Sequence, residues 1–184
     1  MVAADCIALK RDVAATLVPA GTPVTLLAGE SAQVTQALGG SYTVVVNGNM
    51  FRIDGRDADA LGLECLAPPP KTAAAVRTRE EVEKLIWDAL KTCFDPEIPV
   101  NIVDMGLVYS CALEPGSTDG TFKVDIKMTL TAPGCGMGPI LQQDVRDKVQ
   151  SLDGVEEVQV DLVWDPPWTQ SMLTDAAKLA LGLY

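Results

Sequence analysis

The sequence predicts a two-part chain: a small β-rich domain over residues 1–67, then a compact α/β (α+β) domain over 78–184 with the order α-β-β-α-β and a mixed sheet. Three observations lead there. Apolar residues before residue 67 fall in short β-branched runs separated by turn signals. After residue 78 the apolar spacing changes to three and four residues, then alternates between that period and two. Between the two regimes lies Ala67-Pro68-Pro69-Pro70-Lys71-Thr72, and consecutive prolines hold a chain extended and stiff. Residues 68–77 therefore read as a linker.

In the first domain, Val24–Leu27, Ala32–Gln36 and Tyr42–Val46 read as strands. Asn47-Gly48-Asn49 separates Thr43–Val46 from Met50–Ile53, a strong hairpin signal. Gly39-Gly40 marks a further turn, and Asp57–Leu63 suits one helical turn. No catalytic constellation is present in this part.

In the second domain, Val82, Leu85, Ile86, Ala89, Leu90 and Cys93 form an apolar helical stripe. Thr78 and Glu81 have capping-box spacing, and Pro96 is the expected stop. Leu107, Tyr109, Cys111 and Leu113 alternate, as do Phe122, Val124, Ile126, Met128 and Leu130, so two strands with one buried face are expected. A second helix should start near Pro139 and run to about Leu152. Asp153-Gly154 then turns the chain into a strand at Val155–Val163, and Met172–Leu181 suits a last helix.

Composition removes several function classes. The net charge is −11 and no Lys/Arg cluster exists, which excludes a nucleic-acid footprint. No run of about 18 apolar residues occurs, so no membrane span is expected, and the amino terminus lacks the pattern of a secretory signal; a cytoplasmic protein is expected. There is no histidine, so Ser-His-Asp and Cys-His mechanisms are ruled out within this chain, and metal chemistry must lean on cysteine and carboxylates. The five cysteines contain no Cys-x-x-Cys pair. No P-loop pattern is present either.

Three segments carry candidate chemistry. The loop Thr131-Ala132-Pro133-Gly134-Cys135-Gly136-Met137-Gly138-Pro139 joins a strand to a helix amino terminus. Free N–H groups there favour negative charge, so a cysteine in that place tends toward thiolate. Cys135 is thus either a tight-turn thiol or a nucleophile or soft-metal ligand, and the residues alone leave both open. A phosphatase role would need a cation beside the loop, and the first basic residue after Cys135 is Arg146, well inside the helix. In Asp95-Pro96-Glu97-Ile98-Pro99-Val100-Asn101-Ile102-Val103-Asp104-Met105-Gly106, the carboxylates Asp95, Glu97 and Asp104 either hold a metal or partner or tie up turn backbone. In Trp164-Asp165-Pro166-Pro167-Trp168-Thr169, Trp164 and Trp168 form a stiff aromatic loop suited to a partner surface or to covering the sheet. Cys93 and Cys111 sit on apolar stripes and read as core; Cys6 and Cys65 have no supporting context.

Taken together, Asp95–Val100 with Asp104-Met105-Gly106-Leu107-Val108-Tyr109, then Thr131 and Cys135, then Trp164–Trp168, resemble the small iron–sulfur assembly domain shared by SufT, PaaD and eukaryotic cytosolic iron–sulfur targeting factors. The resemblance covers roughly residues 78–184. Gly39–Val44, Gly48-Asn49 and Asp57–Leu63 resemble the amino-terminal extension of longer bacterial SufT proteins. PaaD-type members typically carry a cysteine-rich segment after the shared domain, which this sequence lacks. The family pattern often has proline directly after its reactive cysteine, where this chain has Gly136.

The resemblance implies a non-enzymatic accessory or carrier factor that delivers or matures iron–sulfur clusters on client apo-proteins together with other assembly proteins. It implies that Cys135 is the reactive cysteine, a candidate ligand for a transient iron–sulfur cluster. Asp95, Glu97, Asp104, Thr131, Gly134, Gly136, Trp164 and Trp168 would then shape the ligand- or partner-binding surface. One thiolate falls short of the four ligands that a typical cluster takes, so a homodimer, a client or a soluble thiol would complete the set. The alternatives are a docking module that never touches iron, a PaaD-like factor for an aromatic-degradation oxygenase, and a thiol enzyme with a base from outside the chain.

Overall fold

The structure is a computed structural model and describes residues 6–65, 77–95, 97–134 and 136–183. The chain divides into two compact units, Met1–Pro68 and Pro69–Tyr184. The expected linker at 68–77 falls almost wholly outside the described residues.

The first unit is a six-stranded antiparallel sheet built from β1 (Cys6–Ala8), β2 (Val13–Val18), β3 (Thr22–Leu26), β4 (Ser31–Leu38), β5 (Ser41–Val46) and β6 (Asn49–Asp54), in the order β1-β4-β5-β6-β2-β3. The hairpin expected at Asn47-Gly48 is a two-residue turn in which Val46 faces Asn49 and both loop residues have positive φ, 50° and 80°. Strands β1 and β2 add to those anticipated. The run Val13-Ala14-Ala15-Thr16-Leu17-Val18 carries two alanines, a weak strand signal, yet Val13, Ala15 and Val18 are buried. A 3₁₀ segment, Gly55–Leu61, closes the unit by burying Ala58, Ala60 and Leu61.

In the second unit, helix α1 (Arg79–Leu90) starts on the anticipated capping box. The Thr78 hydroxyl accepts from the Glu81 N–H, and the Glu81 carboxylate accepts from the Thr78 N–H at 2.8 Å. Thr78→Ala should cost about 1 kcal/mol of stability in a denaturant titration, with the slope of the transition unchanged. The helix ends three residues earlier than its apolar stripe suggests. After Leu90 the chain tightens, the Cys93 N–H donates to the Leu90 carbonyl, and Cys93 is buried from a turn instead of from the helix.

The sheet has three strands, β7 (Val108–Pro115), β8 (Phe122–Met128) and β9 (Val155–Leu162). Strands β7 and β8 are antiparallel and β8 and β9 parallel, so the sheet is mixed as anticipated. Helix α2 (Gly138–Gln150) makes the crossover that parallel neighbours require. Val124, Ile126 and Met128 of β8 are buried with Val82, Ile86 and Leu90 of α1 and Leu141, Val145 and Val149 of α2 in one core cluster. Burying each such side chain contributes roughly 1.5–3 kcal/mol. The alternation in β7 is broken: Val108 pairs with Met128 and Ser110 with Lys127, so Tyr109 is an extra residue in the ladder.

The tail is two short pieces instead of one helix. A 3₁₀ turn, Gln170–Met172, precedes α3 (Asp175–Ala180), and Thr174 separates them as the α3 N-cap, accepting from the Ala177 N–H.

Candidate functional site

Strand directions bring distant segments to one end of the sheet. Parallel pairing puts the carboxyl ends of β8 and β9 side by side, and antiparallel pairing puts the amino end of β7 beside them. The Thr129 N–H donates to Leu107 and the Val163 N–H to Met128, extending the ladder past the named strands. Asp104–Leu107, Thr131–Gly134 and Trp164–Trp168 therefore all leave from this one rim.

The Asp104 segment is held from both sides. The Asn101 amide donates to Asp104 Oδ2 at 2.6 Å, while its carbonyl oxygen accepts from the Val103 and Asp104 N–H groups. The Asp104 backbone carbonyl accepts from the Thr174 N–H at 2.9 Å, which ties this loop to the start of α3. Asp104 is thus a brace between two chain segments. Gly106 sits at φ 67°, and a Cβ there would meet the Met172 carbonyl oxygen and stand 2.8 Å from Met172 Cβ.

The tryptophan loop closes onto the same brace. Trp168 Nε1 donates to the Met105 carbonyl at 2.8 Å, and the Tyr109 hydroxyl donates to the Pro166 carbonyl at 2.8 Å. Trp168 packs against the core cluster, whereas Trp164 is 43% exposed. The two tryptophans differ: Trp168 covers the sheet end and Trp164 faces solvent.

The glycine loop is an exposed turn. Thr131, Gly134 and Gly136 are exposed, and Gly134 has φ 81°. Cys135 lies outside the described residues. Met137 is buried and begins α2 without a side-chain cap, and Pro139 occupies the first turn. Gly138 packs under Leu130, whose Cδ1 would stand 2.7 Å from an added Cβ. Thr129 adds a feature no sequence pattern announced: it is 1% exposed, and its hydroxyl has no partner among the described residues.

Asp95 and Glu97 are placed differently. The Glu97 N–H donates to Asp95 Oδ1 at 2.9 Å, an Asx turn, and the Ile98 N–H donates to the Asp95 carbonyl. The Phe94–Asn101 bridge anchors this turn to the brace. Among the described residues neither carboxylate hydrogen-bonds or ion-pairs with the other segments of the rim, and Pro96 lies outside the described residues. Among the described residues no group of three or more cysteine and carboxylate side chains is placed to hold a metal.

The other two thiols of this unit are unsuited to such chemistry. Burial pushes Cys93 up to about 12, and burial with the charges of Glu83 and Asp125 pushes Cys111 up to about 11. Both stay protonated at neutral pH and so lack the thiolate that attacks or ligates. Cys6 and Cys65 are exposed in the other unit. In native protein at pH 8, iodoacetamide should modify Cys6 and Cys65 and leave Cys93 intact, as peptide mass mapping will report. Because the folded value of Cys93 lies above the ordinary 9.0, its contribution to stability is complete below pH 9 and is lost as pH rises toward 12.

The rim, its brace and its glycine loop form one candidate end of a small α/β domain. The sequence model described as "Iron-sulfur cluster assembly protein" matches residues 83–161, a span that includes Asp95, Glu97, Asp104 and the whole glycine loop but stops short of both rim tryptophans. A maturation auxiliary factor for Fe-S proteins from Porphyromonas gingivalis is 40% identical over 107 residues, 58% of this chain and 93% of its own length. The Bacillus subtilis auxiliary factor YitW is 38% identical over 56% of this chain and 97% of its length. The Staphylococcus aureus auxiliary factor SufT is 39% identical over 48% and 96%. The chain belongs to the iron–sulfur cluster assembly protein family.

Proposed function

We propose that this protein is an accessory factor for maturing iron–sulfur proteins, acting by transient contact and not by catalytic turnover, and that Cys135 is its working residue. The observation that carries the reading is the match, over nearly their whole length, to relatives named as Fe-S protein maturation auxiliary factors. The thiol inventory supports Cys135: of the three cysteines in its own unit, the other two are buried or half-buried with raised pKa values.

A cluster is cargo in this reading, not a resident group. A four-thiolate set is not at hand on the described residues, and iron–sulfur clusters take four protein ligands or substitutes for them. Cys135 would supply one ligand, with the rest from a client apo-protein, another assembly protein or a small thiol. The exposed Trp164 and the glycine turn would form the contact surface. The acidic chain would work in the cytoplasm, where thiols stay reduced.

Cys135→Ala tests this directly. In cells lacking their own maturation factor, the variant should fold and accumulate normally while client iron–sulfur enzyme activity stays at the level of cells without the protein. Full client activity would sink the role of Cys135. The single-thiol donor set favours one second reading, a docking module that never touches iron. Anaerobic incubation with iron and sulfide separates the two: a visible chromophore lost in Cys135→Ala supports cluster contact, and no chromophore in any condition supports docking alone.

A further inference from the structure

Sheets expose two edges each, and unguarded edges pair with other strands. Three of the four edges here carry a guard. Strand β1 is only three residues long, and β3 contains Pro23. Along β9, the Gln142 and Gln150 side-chain amides donate to the Val160 and Glu156 carbonyls. Strand β7 is eight residues long, with no proline before Pro115 and no lysine, and its bulge at Tyr109 leaves Ser110–Glu114 a regular stretch. Apart from its ladder with β8, no backbone group of β7 bonds to another part of the described chain. Ser110, Ala112 and Glu114 are exposed.

The residues on this strand suit a second copy of itself. Residues opposite one another in a ladder share a face, so the solvent face carries the rows Ser110-Lys127-Asp161, Ala112-Asp125-Gln159 and Glu114-Lys123-Glu157. Lys123 already pairs with Glu157 at 3.0 Å. Lys127 has no ion-pair partner within 4.0 Å among the described residues, and neither has Glu114. Place two β7 strands antiparallel with Ala112 facing its own equivalent. Glu114 then lies opposite the other copy's Ser110, one strand from that copy's Lys127. At about 4.8 Å per strand, the two long side chains span that gap across a serine. On the helix-covered face, half-buried Cys111 would lie opposite the buried Leu113 of the other copy, apolar against apolar. Centred on Ala112, no two strand residues that face one another carry like charges.

We infer that β7 is a self-pairing edge: two copies join through antiparallel β7 strands about a two-fold axis at Ala112, giving one continuous six-stranded sheet. The rims of the two copies then stand at opposite ends of that sheet.

Sedimentation equilibrium of the full chain under reducing conditions should show a concentration-dependent monomer–dimer equilibrium. Ala112→Lys sets two lysines face to face and should weaken it about tenfold or more, with circular dichroism unchanged. Glu114→Lys should weaken it too, and adding Lys127→Glu should restore most of the loss. Ala112→Cys should cross-link on oxidation through residue 112 of both copies, because directly opposed Cβ atoms stand about 4.5–5.5 Å apart and a small shift of the strands brings them within disulfide range. A chain that stays monomeric up to several hundred micromolar overturns the inference. So does a dimer that Ala112→Lys leaves intact, or one in which Ala112→Cys forms no such cross-link. Should Ala112→Lys misfold, the Glu114→Lys and Lys127→Glu pair decides alone, and lack of restoration counts against the inference.

Discussion

Gly106→Val should unfold the rim and lower global stability by more than 3 kcal/mol. Two costs add. A β-branched residue at φ 67° sits in the left-handed region, where L-residues lose about 1–2 kcal/mol. Its Cβ also runs into the Met172 carbonyl and Cβ, which are backbone and chain root and cannot swing away as a side-chain tip would. Relief requires the 170–174 segment to move outward, and with it the Thr174 to Asp104 bond. The Trp168 to Met105 bond, formed one residue before the clash, is then lost as well. Thermal unfolding should show the drop, and tryptophan fluorescence should shift to the red at temperatures where the rest of the unit remains folded. Client maturation should fail in proportion. An unchanged melting temperature would refute the tight approach.

Ile126→Ala should cost as much or more, about 3–4 kcal/mol, by a different route and with a different consequence. Ile126 is 0% exposed at the middle of β8, between β7 and β9 and under both helices. Truncation loses the burial of three methyl-sized groups and leaves a cavity that a central strand cannot collapse. The rim lies at the end of β8 and makes no bond through this side chain. Per folded molecule, client maturation should therefore equal that of the unaltered chain once stability is restored by lower temperature. Comparing the two variants at matched folded fraction separates loss of fold from loss of rim. Equal impairment in both would mean that the rim has no special role.

The parts of this molecule that were legible in advance are those settled by near neighbours in sequence. Thr78 and Glu81 lie three residues apart and make the capping box that their spacing implies. Asn47-Gly48 adopts the positive φ values that its chemistry permits. What escaped depends on tertiary packing. Burial of Val13, Ala15 and Val18 makes a strand from an alanine-containing run. The stripe of α1 continues to Cys93 although the helix does not, because a turn delivers Cys93 to the same core. The extra residue at Tyr109 leaves no mark in composition.

The candidate site was legible as segments and not as an assembly. Asp104, the glycine loop and the tryptophan loop stood out by residue type, but their convergence follows from strand direction, which no segment encodes alone. The sequence also left Asp104 open between ligand and scaffold; its bonds to Asn101 and Thr174 make it a brace. Asn101, Tyr109 and Thr174 were missed. The spacing Asn101-x-x-Asp104 is the one local sign that could have pointed to the first of them.

The mixed strand order has a consequence for how the protein is born. One part of the rim is written near residue 104 and another near 165, and the Trp168 to Met105 bond that joins them can form only after β9 has been made. A ribosome that has released the chain up to α2 has released the glycine loop with the Asp104 segment but without the tryptophan loop. The loop therefore waits half-covered while the residues after α2 are made, and the domain finishes its core only once β9 and α3 have emerged.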